Sequence, residues 1–398
     1  MSAKPAIIAA LAALSLATLA ACAQPDATPT PTTAPAPIPT LAPPTPPQPT
    51  PTSASPQPTP QGLVFTRNQA APSLPGSITF SAALTSETPI ETLDVEFGRE
   101  TVFSCASASY TSARTGIEPG RNVEAEWTWD MRRTGSIPPG STVWWRWRTV
   151  DAEGRERRSE RRELEYEDDR FRWQSHTAGN ITYYWYAGGD GFGRKLAGAV
   201  NANLGNLQLG RELVKPIKAF VYESAADVQG AILFAQQWAG GLAFGADNVL
   251  LITVDPAAFD LHLPGVTHEL AHLLVAEVTF NCFGDLPTWV DEGLAVYAEG
   301  VLPNAQRRAL NQAVAQDALI SLRSLNSSFP AGHTGAILSY AQSYSLIAYL
   351  LDAYGWSKMQ QLLAVYAEGA AYEDAIRRVY GFGLDGLEAE WRASLGLE

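Results

Sequence analysis

Cysteine, methionine and histidine are scarce in this chain of 398 residues, which contains three, three and five of them respectively. No two cysteines are spaced as C-x-x-C, which argues against a zinc site built from thiolates. Basic residues are also few, since 28 Lys and Arg stand against 41 Asp and Glu and leave a formal net charge of -13. Nucleic-acid-binding proteins normally present a basic face, so this balance argues against a nucleic-acid partner.

The N-terminal apolar run, residues 6–21, is too short and too rich in Ala for a membrane span, and it follows Lys4 as in a secretory signal. It ends in Leu19-Ala20-Ala21-Cys22, which resembles the lipobox of bacterial lipoproteins. By that resemblance, residues 1–22 are a lipoprotein signal peptide, and acyl chains on Cys22 anchor an extracytoplasmic protein to the bacterial cell membrane or surface. An ordinary signal peptide followed by a chance cysteine is the alternative.

Residues 23–62 consist almost entirely of Pro, Thr, Ala, Gln and Ser. Such a segment cannot bury apolar surface, so we expect a disordered, extended linker between the anchor and the folded part. The other two cysteines, Cys105 and Cys282, fall in different predicted domains. A disulfide between them and two free buried thiols are both open from the sequence.

Residues 63–170 show alternating strand patterns separated by Pro-Gly turns. One example is the run 142–150, TVWWRWRTV, which leads into a hairpin turn at 151–154. The pattern predicts an all-β sandwich, and the region resembles an immunoglobulin-like or fibronectin-type module. Its Trp residues could bind sugar, although packing in the core and across strands is their more common role.

From residue 171 strand and helix patterns alternate, and after residue 301 the chain reads as nearly all helical. We therefore expect an α+β catalytic subdomain over 171–300 and a helical C-terminal subdomain over 301–398. The apolar run 248–254, NVLLITV, is predicted to be a strand. The helix that carries the next motif is expected to begin after Pro264-Gly265.

His268-Glu269-Leu270-Ala271-His272 is an H-E-x-x-H motif. Four residues correspond to 400° of helix, so the two imidazoles lie about 6 Å apart on one face and can ligate one zinc ion. Glu269 lies beside them, where it can activate the water of such a site. A random chain of this composition is expected to contain only about 0.004 such motifs, which makes two fortuitous helix histidines a weak alternative.

The segment 286–295, LPTWVDEGLA, offers a third ligand, because a helix beginning near Pro287 presents Glu292 from its interior. H-E-x-x-H followed by W-x-x-E-G-x-A is the signature of gluzincin metallopeptidases, and this version resembles the peptidase MA-like family over residues 175–395. The resemblance implies a zincin-type fold and one zinc ion per chain, held by His268, His272 and Glu292. It also implies that Glu269 is the general base, and that the NVLLITV strand is a sheet edge pairing with an extended peptide.

The resemblance fails at Val296, where thermolysin-like enzymes have an Asp, so the outer partners of the histidines are not identified. Asp291 has no assigned role. Glu299 shares a helix face with Glu292 and is interpreted either as a solvated group or as an outer partner of the site.

Three side chains are candidates to stabilise the tetrahedral oxyanion: Tyr340, Tyr344 and His333. The two tyrosines are four residues apart and share one helix face, but simple packing between helices explains them equally well. His176 and His262 are expected to be structural or surface residues.

The motifs together predict a zinc peptidase that acts on peptide or protein substrates. A second hypothesis is a non-catalytic surface lipoprotein whose β domain binds wall polymer or a protein partner. A third is a metal-binding or structural lipoprotein with a fortuitous helix, which would bind no stoichiometric zinc. The substrate, internal or terminal cleavage, and the oligomeric state do not follow from the sequence.

Overall fold

A computed structural model of the chain describes residues 62–105, 110–234, 240–330 and 333–397. The predicted signal peptide, Cys22 and nearly all of the predicted linker lie outside the described residues. No helix in the described part is both long enough and apolar enough to cross a membrane.

The N-terminal part is β-rich and is organised around one very long strand. Its strands are β1 (Leu63–Ser73), β2 (Ser77–Glu100), β3 (Thr111–Arg114), β4 (Gly120–Asp130), β5 (Thr142–Asp151), β6 (Glu156–Arg158) and β7 (Arg162–Glu165). The first half of β2 pairs with β1 and β4, and its second half pairs with β3 and β5. The two halves pack on each other, since the rings of Phe80 and Phe97 lie 5.2 Å apart. The β-rich region is thus observed, and its immunoglobulin-like identity stays a prediction.

The tryptophans of β5 serve the core of this domain. Trp147 is fully buried and Trp145 nearly so. Both indole N–H groups donate to the side-chain oxygen of Asn68, at 3.1 and 2.8 Å, so the core also satisfies their polar atoms. These two rings therefore have the packing role that the sequence favoured.

The second part begins with a five-stranded mixed sheet in the order β11-β12-β10-β9-β8. Its strands are β8 (Gln174–Ala178), β9 (Ile181–Trp185), β10 (Ile217–Tyr222), β11 (Gly241–Phe244) and β12 (Val249–Thr253). Strands β9, β10 and β12 run parallel, while β8 and β11 are antiparallel edge strands. Helices α1 (Phe192–Leu204) and α2 (Ala225–Ala231) connect the strands and bury their apolar sides.

This order corrects the expectation that the NVLLITV strand is the sheet edge. That run forms β12, which is buried between β10 and β11. Its continuous apolar pattern is typical of an interior strand covered on both faces. The edge is β11, whose sequence GLAF is short and contains Gly, and therefore gave no strand signal.

Helices dominate the rest of the chain. They are α3 (Phe259–Thr279), α4 (Thr288–Ala298), α5 (Asn304–Ala315), α6 (Leu322–Leu325), α7 (His333–Ala367), α8 (Tyr372–Tyr380) and α9 (Leu384–Ser394). Gly355 interrupts α7 with a φ of 73°, and Gly381 ends α8 with a φ of 90°, because a residue without Cβ adopts the left-handed region readily. A β-rich region followed by a largely helical one agrees with the fold class predicted from the sequence.

Helix α3 starts earlier than expected. We expected it to begin after Pro264, but Pro264 lies inside it. The side chain of Asp255 caps a preceding 3-10 turn by accepting from the amide of Ala257, and Phe259 is buried in the core at the first turn. Proline removes one helical hydrogen bond near this end, and the anchored first turn keeps the helix continuous through it.

The open question of the two cysteines has an answer in the structure, where Cys105 and Cys282 form a disulfide. It joins the segment that follows β2 to the connection between α3 and α4. The β-rich part and the second part belong to one unit, which extends from Gln57 to Glu398.

Candidate active site

Helix α3 presents the H-E-x-x-H residues at the surface of the helical core. Its inner side is formed by Val266, Leu270 and Leu273, which are fully or almost fully buried. His268 and His272 lie on the other side, with ring centroids 4.8 Å apart and an interplanar angle of 84°. The one-turn spacing therefore brings the two imidazoles together, as the motif predicts.

Helix α4 carries Glu292 and is fixed by the other residues of the W-x-x-E-G motif. Trp289 is fully buried, and its indole N–H donates to the side-chain oxygen of Asn326 at 3.1 Å. Gly293 faces α7 so closely that a Cβ there would lie 2.6 Å from the carbonyl oxygen of Ser343. The Trp thus anchors the helix, and the Gly lets α4 and α7 approach, which holds Glu292 in place.

The three candidate ligands converge. Oε2 of Glu292 lies 3.2 Å from Nε2 of His268 and 3.5 Å from Nε2 of His272. The three ligand atoms all lie within 4.8 Å of one another, and no other group of three His, Cys, Asp or Glu in the described part could hold a metal ion. Two imidazole nitrogens and one carboxylate oxygen are a donor set that suits a divalent transition metal and leaves a coordination position open. The residues therefore fit a metal ion.

The second nitrogen of each imidazole faces a carboxylate that the sequence did not assign. Oε1 of Glu299 lies 2.9 Å from Nδ1 of His268 in hydrogen-bond geometry. Oδ1 of Asp291 lies 3.0 Å from Nδ1 of His272, at ion-pair distance but without hydrogen-bond alignment. Carboxylates in this position fix the orientation of ligand histidines. The signal was present for Glu299, seven residues after Glu292 on one helix face, but only the fold selects its partner.

Electrostatics within the cluster favour paired charges in the metal-free protein. Burial alone would lower the pKa of His268, but hydrogen bonds to Glu292 and Glu299 raise it to about 9. Burial likewise opposes the charged form of His272, and the nearby carboxylates Asp291 and Glu292 nevertheless raise its pKa well above the ordinary value. Burial would raise the pKa of Glu292, but the two imidazoles lower it to about 2. A metal ion entering the site would therefore displace protons from the imidazoles.

Glu269 lies against the sheet edge. A Cβ built on Gly241 of β11 would lie 2.8 Å from Cγ of Glu269 and 2.3 Å from Cδ1 of Ile252. Gly241 therefore allows the edge strand to pass directly over the Glu269 side chain, where a larger residue would displace it.

The two candidate tyrosines have different surroundings, and only Tyr340 lies at the histidine cluster in the described contacts. Tyr340 lies against His268, with ring centroids 6.1 Å apart, and burial together with the charges of Glu292 and Glu269 raises the pKa of its phenol. Tyr344 instead stacks on Tyr297, with centroids 6.1 Å apart. His333 begins α7, and its side chain lies outside the described part.

His262 has a structural contact, as expected from the sequence. Its Nδ1 accepts a hydrogen bond from the backbone amide of Asp255 at 2.9 Å. This bond ties the start of α3 to the end of β12, and so supports the helix that carries the motif.

The chain was compared with known proteins by family, by sequence and by structure. None of the curated proteins compared with the chain matches it. Solved structures that match include a Br derivative of BhCBM56 (11% identity, 25% of this chain and 88% of that one, TM-score 0.18), wild-type OgpA from Akkermansia muciniphila (10%, 26% and 28%, 0.20) and BC0361, a polysaccharide deacetylase from Bacillus cereus (9%, 39% and 51%, 0.21). The chain thus spans about a quarter of OgpA and half of the deacetylase.

The part of the chain that holds the site matches a known family. The sequence pattern of the Peptidase MA superfamily matches residues 201–396, just under half of the 398 residues. This range includes His268, Glu269, His272 and Glu292. The match supports a peptidase MA-like family for this chain and suggests peptidase activity.

Proposed function

We propose that this protein is a zinc-dependent peptidase of the gluzincin type that hydrolyses peptide bonds with Glu269 as the general base. The observation that carries the proposal is the convergence of His268, His272 and Glu292 from two helices, next to Glu269 and a free sheet edge. Side chains separated by up to 24 residues meet there with the donor set of a catalytic zinc site.

Zinc is the metal that this donor set fits best, and one ion per chain is expected. When bound, it supplies Lewis-acid chemistry, because it lowers the pKa of water and polarises a carbonyl group. The protein's own contribution is orientation. Glu299 holds the His268 ring through a hydrogen bond to its Nδ1, and the carboxylate of Asp291 faces Nδ1 of His272 at ion-pair distance. The Nε2 atoms of both imidazoles face Glu292.

Glu269 is the residue proposed to move the proton. It takes a proton from the attacking water and delivers it to the amine that leaves. Its position next to Gly241 of β11 supports this role, because a peptide lying along β11 would carry its scissile bond over the Glu269 carboxylate.

Strand β11 is the proposed substrate-pairing edge. The amide of Thr253 in β12 donates to the carbonyl of Gly240, so by antiparallel alternation residues 240, 242 and 244 direct their backbone groups to β12. Gly241 and Ala243 consequently direct their N–H and C=O groups away from β12. No described strand pairs with that side, which leaves these groups able to bind an extended peptide.

Tyr340 is the proposed donor to the oxyanion. Burial and the nearby charge of Glu292 raise the pKa of its phenol above an ordinary value that already exceeds neutral pH, so the hydroxyl remains a neutral donor. A neutral donor near the metal centre stabilises negative charge that develops on the carbonyl oxygen.

We also propose that the protein is exported and anchored to a membrane by lipid on Cys22, with peptides or proteins as its substrates. The disulfide between Cys105 and Cys282 supports an oxidising location outside the cytoplasm. A Cys22→Ser variant should leave the membrane fraction and appear in the soluble fraction. Retention of the variant in membranes would contradict the anchor.

The decisive test of the enzyme proposal compares the wild type with Glu269→Gln. Both proteins should bind about one zinc per chain by metal analysis, and the variant should lose peptide hydrolysis by roughly a hundredfold or more. A matched control is Glu124→Gln, which changes an exposed carboxylate on β4. Absence of zinc in the wild type, or full activity in Glu269→Gln, would contradict the proposal.

A further inference from the structure

The turn between β11 and β12 contains a buried carboxylate that belongs to no catalytic step. Asp247 has only 2% of its side chain exposed, although it lies at the tip of a hairpin. Hairpin tips normally lie in water, and a carboxylate there needs no protein partner. Its burial results from the N-terminal β domain, which covers this tip.

The β domain holds the tip through side chains and through the main chain. Nη1 of Arg99, at the end of β2, lies 2.9 Å from Oδ2 of Asp247, and the hydroxyl of Ser141 donates to Oδ1 at 2.9 Å. The amide of Val102 donates to the carbonyl of Ala246 at 2.9 Å. Burial raises the pKa of Asp247, whereas Arg99 and Ser141 oppose that shift and so favour the ionised form. The contact between the β domain and this turn therefore consists of one ion pair, one side-chain hydrogen bond and one backbone hydrogen bond.

The same part of the β domain also reaches the connection between the two helices that carry the candidate ligands. Residues 99–105, which we call the bridging segment, end at the disulfide from Cys105 to Cys282. Within it, Phe103 stacks on Phe280 with ring centroids 4.8 Å apart. Phe280 and Cys282 lie in the connection between α3 and α4, the two helices that carry the candidate metal ligands.

These contacts place the two ends of β11 under different constraints. At one end, Gly241 lies over Glu269, so a small shift of the strand changes its distance from the proposed base. At the other end, the turn that follows Phe244 is fastened by Asp247 to the β domain. A four-residue edge strand paired on one side only has few bonds of its own, so its position depends on this anchor.

We propose that the N-terminal β domain is a positioning element of the peptidase site, in which Asp247 fixes the β11–β12 hairpin and thereby the strand that pairs with substrate. Asp247 is a positioning residue, since it touches neither the metal ligands nor Glu269 in the described contacts. This inference rests on the proposed function for its effect on substrate, and on the structure alone for its effect on the hairpin.

Amide hydrogen exchange on the full chain with zinc present tests the hairpin directly. Asp247→Asn removes the charge of the ion pair with little change in shape, and Arg99→Gln removes its cationic partner. Glu124→Gln removes an exposed ion pair with Arg67 elsewhere in the β domain. In both anchor variants, amides of residues 241–253 should exchange about tenfold faster, while α3 keeps its protection. The double variant Asp247→Asn/Arg99→Gln should exchange no faster than either single variant, because the pair acts as one unit.

A second arm separates the two contact points. A Cys105→Ser/Cys282→Ser chain should loosen residues 280–287 and leave 241–253 close to the wild type. Kinetics with a pool of quenched-fluorescent peptides should show that Asp247→Asn raises KM more than it lowers kcat, with zinc content unchanged.

The outcomes distinguish the inference from the proposed function. The positioning role would be overturned if residues 241–253 of the Asp247 and Arg99 variants exchanged at the same rate as in Glu124→Gln. It would also be overturned if exchange in those variants rose uniformly over the whole second part. A purified wild type that binds no zinc and cleaves no peptide in the pool would overturn the proposed function. Faster amide exchange of residues 241–253 in Asp247→Asn would then still support the role of Asp247 in fixing the hairpin.

Discussion

Oε1 of Glu299, the residue that directly follows α4 at its C-terminal end, lies 2.9 Å from Nδ1 of His268. Helix α4 thus carries the candidate ligand Glu292, and the residue at its end orients another candidate ligand. The position four residues after Glu292, where a thermolysin-like enzyme has Asp, is Val296 and is buried in the core. The outer carboxylate is therefore supplied seven residues after Glu292, at the C-terminal end of α4.

This relationship predicts that Glu299→Gln weakens zinc binding. The amide cannot replace the charge that holds the His268 ring, so we expect a loss of about 10- to 100-fold in zinc affinity, measured by competition with a chromophoric chelator. Glu368→Gln, which alters an exposed pair with Arg378, is the matched control. Equal zinc affinities in the two variants would show that Glu299 does not orient the ligand.

The two tyrosines of α7 make a natural pair for testing the oxyanion donor. Tyr340→Phe removes the hydroxyl beside His268 and Glu292, and we expect kcat to fall by about 10- to 1000-fold with little change in zinc content. Tyr344→Phe keeps its stacking on Tyr297 and should retain kcat within about twofold. Comparable kcat values for the two variants would exclude Tyr340 as the donor.

Gly293 tests the close contact between α4 and α7. A methyl group at this position would lie 2.6 Å from Ser343 O and from Ile347 Cγ1, so Gly293→Ala should destabilise the fold by about 1–3 kcal/mol in urea unfolding. The control is Gly198→Ala on the exposed face of α1, where a Cβ meets no atom within 4 Å. That substitution should stabilise the protein by about 0.5–1 kcal/mol, because Ala has the better helix propensity. Equal effects of the two changes would contradict the contact.

The shifted pKa values predict how pH affects the metal-free protein. His268 has a folded pKa of about 9 against an ordinary 6.5, so its stabilising contribution is fully present below pH 6.5 and is lost as pH rises towards 9. Glu292 has a folded pKa of about 2 against 4.5, so its contribution is present above pH 4.5 and is lost as pH falls below that value. The contribution of this cluster to the melting temperature of chelator-treated protein should therefore be greatest between about pH 4.5 and 6.5.

In the zinc-loaded protein, the stabilisation by bound zinc should increase with pH, whereas the contribution of His268 to the metal-free protein decreases. Zinc must displace the imidazole protons, so its affinity should rise by about tenfold per pH unit for each proton released, until the pH passes the pKa of about 9. Melting curves at several pH values, with and without zinc, measure both trends. Parallel curves for the two forms would contradict proton displacement at this site.

Several features of the protein follow from local sequence patterns. The spacing of His268 and His272 places both imidazoles on one face of any helix, and the buried Trp289 beside Glu292 marks where α4 packs. Alternating apolar residues predict the strands of the N-terminal part, and continuous apolar residues predict β12, because burial patterns repeat within a few residues.

Other features are long-range pairings, which no local pattern contains. The sequence did not identify β11 as the edge, since its four residues become a strand only by pairing with β12. The disulfide joins cysteines that are 177 residues apart in the chain, and Asp247 is buried only because Arg99 and Ser141 arrive from another domain. The sequence by itself determined, through helix periodicity, that His268 and His272 lie together on one helix face. Only the tertiary structure decided which carboxylates orient the histidines and which strand faces Glu269, because those choices depend on how distant segments pack.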